Sequence, residues 1–241
     1  MREILIPADL TKAADGDVKV LWAGQGLTNG SRAWYAGDAV AVVAPDLNRH
    51  DRIVVGGPLD DAAALVRDVL ALVGPAYRPF GDEELVRGLV ERIPELNLRA
   101  TFGWMQTEES PVETVTARWL ADDTGVAELL EEASPTSYAW PGGRGVLRWA
   151  GISDADTESG RLLSVAADAC SAPEVGFLAG VATLPAARGR GLSRQVCAFV
   201  TAELVKRHGR AALMVDKSND AAIGLYRKLG YSYHPVGAAQ L

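Results

Sequence analysis

Leu184-Pro185-Ala186-Ala187-Arg188-Gly189-Arg190-Gly191-Leu192-Ser193 is the stretch whose reading decides the fold. Before it lies an apolar run, Val175 to Leu184, with the composition of a buried strand. After it, Leu192, Val196, Phe199, Val200 and Leu204 recur at helical spacing and form one apolar face. The glycines therefore sit where a strand passes into a helix. At such a junction the first helical amides lack intrahelical partners, and the positive end of the helix dipole points outward. Gly189 and Gly191 carry no side chain to block close approach, so successive N–H groups can wrap a phosphate. Arg188 and Arg190 add fixed positive charge beside them. The structural alternative is a tight strand–helix turn with no ligand.

The cradle lacks the Lys-Ser/Thr pair of a nucleotide-hydrolysing loop, and it stands too late in the chain to open a dinucleotide-binding βαβ unit. A second stretch follows one helix and one strand later: Asn219-Asp220-Ala221-Ala222-Ile223-Gly224-Leu225-Tyr226-Arg227-Lys228-Leu229-Gly230-Tyr231. Asn219 reads as an N-cap, Ala222, Leu225, Tyr226 and Leu229 share a face, and Gly230 reads as the residue just past the helix end. Together the two stretches resemble the GNAT acyltransferase superfamily. Arg188, Gly191 and Ser193 fill the places of its [Gln/Arg]-x-x-Gly-x-[Gly/Ala] motif, with Ser as a small departure. The second stretch follows its Asn-x-x-Ala-x-x-Leu-Tyr-x-x-x-Gly-[Phe/Tyr] pattern.

The resemblance implies an α/β (α+β) fold, with a mixed central sheet flanked by helices. It also implies acetyl-CoA as cosubstrate, its pyrophosphate on Arg188, Gly189, Arg190, Gly191, Leu192 and Ser193. The pantetheine arm would lie along the strand before the cradle. Pro185 has no N–H, so the donors there fall around Ala182, Thr183 and Leu184. Asn219 and Tyr226 complete the expected cofactor contacts.

At 241 residues, 48% apolar and 23% charged, the chain has ordinary globular composition and ample length for a core. No run approaches the about 18 apolar residues of a membrane span, and Met1 to Asp9 is too short and acidic for a signal peptide. A cytoplasmic protein is the expectation. Three scattered histidines argue against a metal site, and Cys170 and Cys197 read as buried free thiols. A net charge of −7 argues against nonspecific nucleic-acid binding. It mildly favours a cationic amine as acceptor, although solubility alone accounts for such a charge.

In order, residues 1–17 read as a loose lead-in and Val18 to Trp22 as a short strand. Ala33 to Val43 reads as a hairpin about Gly37-Asp38, and Arg52 to Val55 as a strand. Asp60 to Val73 is a helix, Tyr77 to Phe80 an edge strand because of Pro79, Glu83 to Ile93 a helix, and Leu96 to Met105 a strand. This order echoes that around the two motifs. Residues 1–105 therefore read as a degenerate GNAT-like half, with only Val55-Gly56-Gly57-Pro58 in the cradle's place, and residues 106–241 as the catalytic domain. The glycine N-acyltransferase-type members of the superfamily resemble such a tandem arrangement. In the second half Val115 to Leu120 reads as a strand, and a helix capped by Asp122 or Asp123 runs to Ala133. Gly145 to Ile152 and Leu162 to Cys170 form a hairpin around Ser153 to Gly160. The chain ends one strand short of the superfamily's pattern: either the strand is lacking or one from the first half, Leu96 to Met105, replaces it.

Transfer of an acyl group from a thioester to an amine needs a held donor, a neutral nucleophile, a polarised carbonyl and a proton for the leaving thiolate. By resemblance Tyr226 supplies that proton. A phenol near pKa 10 protonating a thiolate near 8.5 is uphill by roughly 2 kcal/mol, which is tolerable; the competing role for Tyr226 is core packing. Freeing an ammonium of its proton at neutral pH costs about 4.6 kcal/mol, work for a carboxylate or a water chain. Glu174, where some superfamily members carry their base, is the first candidate and Asp168 the second; a strand-end carboxylate also serves simply as a solvated charge. Tyr138, Trp140 and Trp149 are candidate pocket aromatics, with core packing as the alternative. The expected function is N-acetylation of a primary amine on a small or amino-acid-like molecule by direct attack, in a monomer or homodimer without nucleic-acid or membrane partners. The competing reading is a non-catalytic acyl-CoA sensor.

Overall fold

A computed structural model describes residues 1–112, 116–154 and 160–241. The first half contains β1 (Arg2–Ile4), α1 (Pro7–Ala14), α2 (Val18–Gly24), β2 (Arg32–Ala36), β3 (Ala39–Leu47), β4 (His50–Gly56), α3 (Leu59–Val73), β5 (Arg78–Asp82), α4 (Glu83–Arg92) and β6 (Asn97–Thr107). The second contains β7 (Arg118–Trp119), α5 (Val126–Ala133), β8 (Val146–Ser153), β9 (Leu162–Ala169), β10 (Gly176–Thr183), α6 (Leu192–His208), β11 (Ala211–Val215), α7 (Asp220–Lys228) and β12 (Ser232–Gln240). These strands join in one mixed sheet ordered β1-β2-β3-β4-β5-β12-β6-β11-β10-β9-β8-β7. The expected start of the strand at Val115, and the turn between Asp154 and Gly160, lie outside the described residues.

The two halves interleave. β6 stands between β11 and β12, antiparallel to both. Reciprocally, β12 stands between β5 and β6. Burial on both faces pins β6 there: Trp104 enters the core beneath α1 and α2, whereas Met105 enters the core of the second half, both fully buried.

The N-terminal expectations need correction. Pro7 opens α1, and Asp17 caps α2 by accepting from the amides of Lys19 (2.9 Å) and Val20 (3.4 Å). α2 is covered on every side, and a helix without a polar face shows no 3.6-residue pattern. Even Lys19 is buried, its ammonium 3.1 Å from Asp17 and 3.0 Å from Asp82. Trp22 fixes α2 to the second half, stacking on Phe177 at 4.8 Å and donating from Nε1 to the Cys170 carbonyl at 2.9 Å. β5 is also not an edge strand. Its ladder with β12 begins only at Phe80, so Pro79 pairs with β4 alone. α5 starts later than its acidic residues indicated, because Asp122 accepts from the Thr124 amide in a turn before the Gly125 cap.

The feature that makes a site is a parting of the sheet. β10 and β11 run parallel but pair only at Gly176 with Ala211 and Phe177 with Ala212. Beyond these residues β10 takes on one extra residue relative to β9, between Ala179 and Ala182. Gly180 lies in this bulge at φ +62°, in the left-handed region. The bulge turns β10 away from β11 and opens a cleft between them.

Candidate active site

At the outer end of the cleft the cradle has the form that the sequence requires. A turn at Pro185–Ala187 follows β10, and Gly189 and Gly191 both stand at φ +77°. Gly191 is the N-cap of α6, and no side chain caps the helix. The first turn of α6 contains no acidic residue. A hollow of about 200 Å³ lies against it, bordered by Thr183, Arg188, Gly189, Gly191, Ser193 and Leu225 among others. Arg188 is exposed and tethered, with Nε 3.4 Å from the Thr183 carbonyl and Nη2 3.3 Å from that of Ala133. Open amides, a helix N-terminus and a tethered guanidinium fit a diphosphate. Nothing lies within 4 Å of a Cβ built at Gly191, so Gly191→Ala would meet no clash, only the left-handed backbone. That strain is about 1–2 kcal/mol; the substitution is expected to lower the melting temperature by about 2–8 °C and, by re-aiming the cradle amides, to weaken diphosphate binding about tenfold in a calorimetric titration.

Inside the cleft lies a cavity of about 590 Å³, bordered by Leu178 to Val181 of β10, Met214 to Asp216 at the end of β11, Asn219 at the start of α7, and Ala222 and Tyr226 of α7. Asn219 caps α7 by accepting from the Ala222 amide at 3.1 Å. The helix ends as its glycine predicts, with the Tyr231 amide on the Tyr226 carbonyl and Gly230 at φ +90°. Two tyrosines lie side by side here, ring centroids 5.8 Å apart. Tyr231 is satisfied, its hydroxyl 2.9 Å from Thr201. Tyr226 borders the cavity, and among the described residues no group hydrogen-bonds its hydroxyl. Burial pushes its phenol well above the usual value, with Cys197 and Tyr231 adding to the effect. The hydroxyl thus remains protonated at neutral pH.

Other expected residues are not brought together. Glu174 is exposed in the turn between β9 and β10, accepts from the Thr11 hydroxyl at 3.0 Å, and does not border the cavity. It stands where β10 and β11 are still paired, at the closed end of the cleft, and the base expected there is corrected accordingly. Asp168 is fully buried and engaged, 3.2 Å from Arg148 Nε and 2.5 Å from the Ser171 hydroxyl. The Leu184 amide donates to Leu163 (2.9 Å) and is unavailable to a ligand. Ala182 and Thr183 end β10, Thr183 bordering the cradle hollow, and Arg190 is exposed in the cradle. Ser193 hydrogen-bonds the Cys197 thiol, which burial pushes up to about 12, an inert core group. Of the three aromatics only Tyr138 borders the cavity. Trp140 donates to Ser137, and Trp149 packs beneath Gly180.

The first half supplies what the sequence reading missed: Asn48, His50, Arg52, Arg78 and Arg99 also border the cavity. Arg52 is buried, and burial, aided by the like charge of Arg78, brings it down to about 10. Burial, then Arg52 and Arg78, push His50 down to about 4, so its imidazole is neutral above pH 5. No motif marks these residues; Asn48 lies in the β3–β4 turn and the others in strands of unlike sequence, and the interleaved sheet brings them to the cleft.

Residues 158–236 match the family model "FR47-like protein". No curated protein matches the chain by sequence. Among solved structures it is similar to a GCN5-related N-acetyltransferase from Kribbella flavida, 21% identical with a TM-score of 0.59 over 96% of this chain and 95% of that one. A Drosophila protein is 15% identical with a TM-score of 0.64, covering 100% of this chain and 97% of its own. A GCN5-related N-acetyltransferase from Sphaerobacter thermophilus is 19% identical with a TM-score of 0.51, over 100% and 94%. Parted strands, a glycine cradle and a following capped helix belong with these likenesses: the chain has the GNAT fold, with an FR47-like segment at residues 158–236.

Proposed function

We infer that the chain is an acyl-CoA-dependent N-acyltransferase, acetylating a primary amine, with its catalytic unit in residues 106–241 and a degenerate copy of the fold in residues 1–105. The observation that carries the reading is a glycine cradle with a hollow against it, beside a cavity between β10 and β11 walled by a protonated tyrosine whose hydroxyl has no partner among the described residues. Bound acetyl-CoA would supply the activated acyl group. Arg188 and the amides from Gly189 to Ser193 would hold its diphosphate. Amides of the β10 bulge would face the thioester oxygen and polarise it. Tyr226 would hold the proton that the departing sulfur needs, and desolvation that raises the phenol raises a thiol in the same cleft too, so their gap changes little.

The degenerate copy is supported by element order. β4, α3, β5, α4 and β6 repeat the succession β10, α6, β11, α7 and β12, and each set receives the other's last strand. Its cradle position is blocked. A Cβ at Gly57 would lie 2.5 Å from the Asp38 carbonyl, and Asp60 and Asp61 occupy the first turn of α3. Asp61 already accepts from the Asp38 amide at 3.0 Å. An acidic, filled helix start repels phosphate.

Calorimetric titration with CoA, followed by thiol release from acetyl-CoA with pooled amines, tests the reading. Micromolar binding with amine-dependent thiol release is expected. No heat on CoA addition would sink it, and binding without turnover on any amine would favour the sensor.

A further inference from the structure

The cavity wall opposite the donor is basic, although the chain carries a net charge of −7. Arg52 and Arg78 are directly paired across β4 and β5, and therefore project from the same face of the sheet. Arg99 joins them through a second irregularity. Ala238 pairs with Ala100 but Ala239 with Leu98, leaving Arg99 as the extra residue of a bulge. Bulges re-aim side chains, and this one brings Arg99 to the cavity.

Among the described residues none of the three guanidinium groups is paired with a carboxylate. Arg52 donates to the carbonyls of Leu47 (2.9 Å) and Asn48 (3.4 Å), and lies over the rings of Trp22 and Phe80. Arg78 meets only neutral His50, Nη1 to Nδ1 3.1 Å. The acidic side chain bordering the cavity is Asp216, at the α7 end beside Asn219. Asp46 and Asp51 lie near His50 but outside the lining, and Asp46 is paired with Arg144 at 3.1 Å. A buried guanidinium without a counter-ion is costly to fold around, and the cost is offset when a ligand brings the charge.

Resting on the N-acyltransferase reading, we propose that the acceptor is an amine bearing a carboxylate, which Arg52, Arg78 and Arg99 bind while the amine faces the β10 bulge. The planar fork of arginine matches a carboxylate bidentately. β6 lies two strands from β10, about 10 Å at the usual spacing, and β5 and β4 lie four and five strands away, about 20 Å and more, a span that the long arginine side chains shorten, so the carboxylate stands several bonds from the amine. Local charge thus adds a carboxylate to the cationic amine that net charge mildly favours, in keeping with an amino-acid-like acceptor.

N-acetylated amino acids, from acetylglycine to acetyl-ε-aminocaproate, and their primary amides serve as probes of product binding, which requires no turnover. In calorimetry at least one acid is expected to bind about 100-fold tighter than its amide. Arg99→Gln and Arg78→Gln are each expected to remove about tenfold or more of that preference, with CoA affinity and melting temperature unchanged. Equal binding of every acid and amide, or a preference untouched in both variants, overturns the proposal. So does a preference for succinyl-CoA over acetyl-CoA that disappears in Arg99→Gln, because the anion would then belong to the acyl group. CoA binding without acid preference leaves the enzyme reading standing and fells the acceptor proposal; acid preference without CoA binding does the reverse.

Discussion

Tyr226→Phe is expected to lower kcat by about a hundredfold or more, the range of a lost general acid, while CoA affinity and melting temperature change little. The selectivity of that outcome follows from the environment of the hydroxyl. The ring is buried and packs beside Tyr231, and phenylalanine keeps that packing. Tyr226 borders the cavity, and its hydroxyl has no partner among the described residues, so its removal orphans nothing. A structural tyrosine behaves in the opposite way. Tyr231→Phe would break the 2.9 Å contact to Thr201 in a fully buried site, and is expected to cost about 1–2 kcal/mol of stability with turnover largely kept. Steady-state kinetics and thermal unfolding of the two variants separate the roles. The pH profile provides a further check. Burial holds the Tyr226 phenol well above its usual range, so the group loses its proton only at still higher pH. The rate is therefore expected to show no falling limb from this group up to about pH 9.5. Equal turnover by Tyr226→Phe and the wild type would remove Tyr226 from the mechanism.

What could be read from the sequence divides along a physical line. The cradle and α7 were legible because backbone geometry imposes them locally: glycines at φ +77°, an asparagine cap, a glycine just past a helix end. The strand near Leu96 to Met105 was legible as a strand, and its place beside β11 and β12 matches one of the two alternatives that the motif order left open. Long-range facts were not legible. α2 is buried on all sides and therefore has no amphipathic signature, and Pro79 argued for an edge that the short β5–β12 ladder makes unnecessary. Glu174 lies away from the cavity for a similar reason. Position along a strand is local, but which end of the strand opens depends on where β10 leaves β11. The arginine wall is the extreme case, since it depends on interleaving and on a bulge at Arg99 that no residue type announces.

The cleft itself hinges on Gly180, and Gly180→Val is expected to damage both stability and turnover. A Cβ there would lie 2.6 and 2.8 Å from ring carbons Cη2 and Cζ3 of Trp149, and 3.1 Å from the Ala139 Cβ. Trp149 is 4% exposed and cannot swing away. The left-handed backbone at φ +62° adds about 1–2 kcal/mol for any L side chain, and overpacking adds about 1–3. A loss of roughly 2–5 kcal/mol would lower the melting temperature by about 5–15 °C in a chain of this size. Relief by a second substitution separates the two contributions. Trp149→Phe withdraws the two colliding ring atoms, and its indole N–H has no partner to lose among the described residues. Gly180→Ala combined with Trp149→Phe is therefore expected to be more stable than the sum of the single effects, by about 1 kcal/mol or more of coupling. Turnover is not expected to return with stability, because alanine still resists the conformation that parts β10 from β11 and aims the bulge amides into the cavity. Strict additivity, or full activity in Gly180→Val, would show that the bulge neither needs glycine nor shapes the cleft.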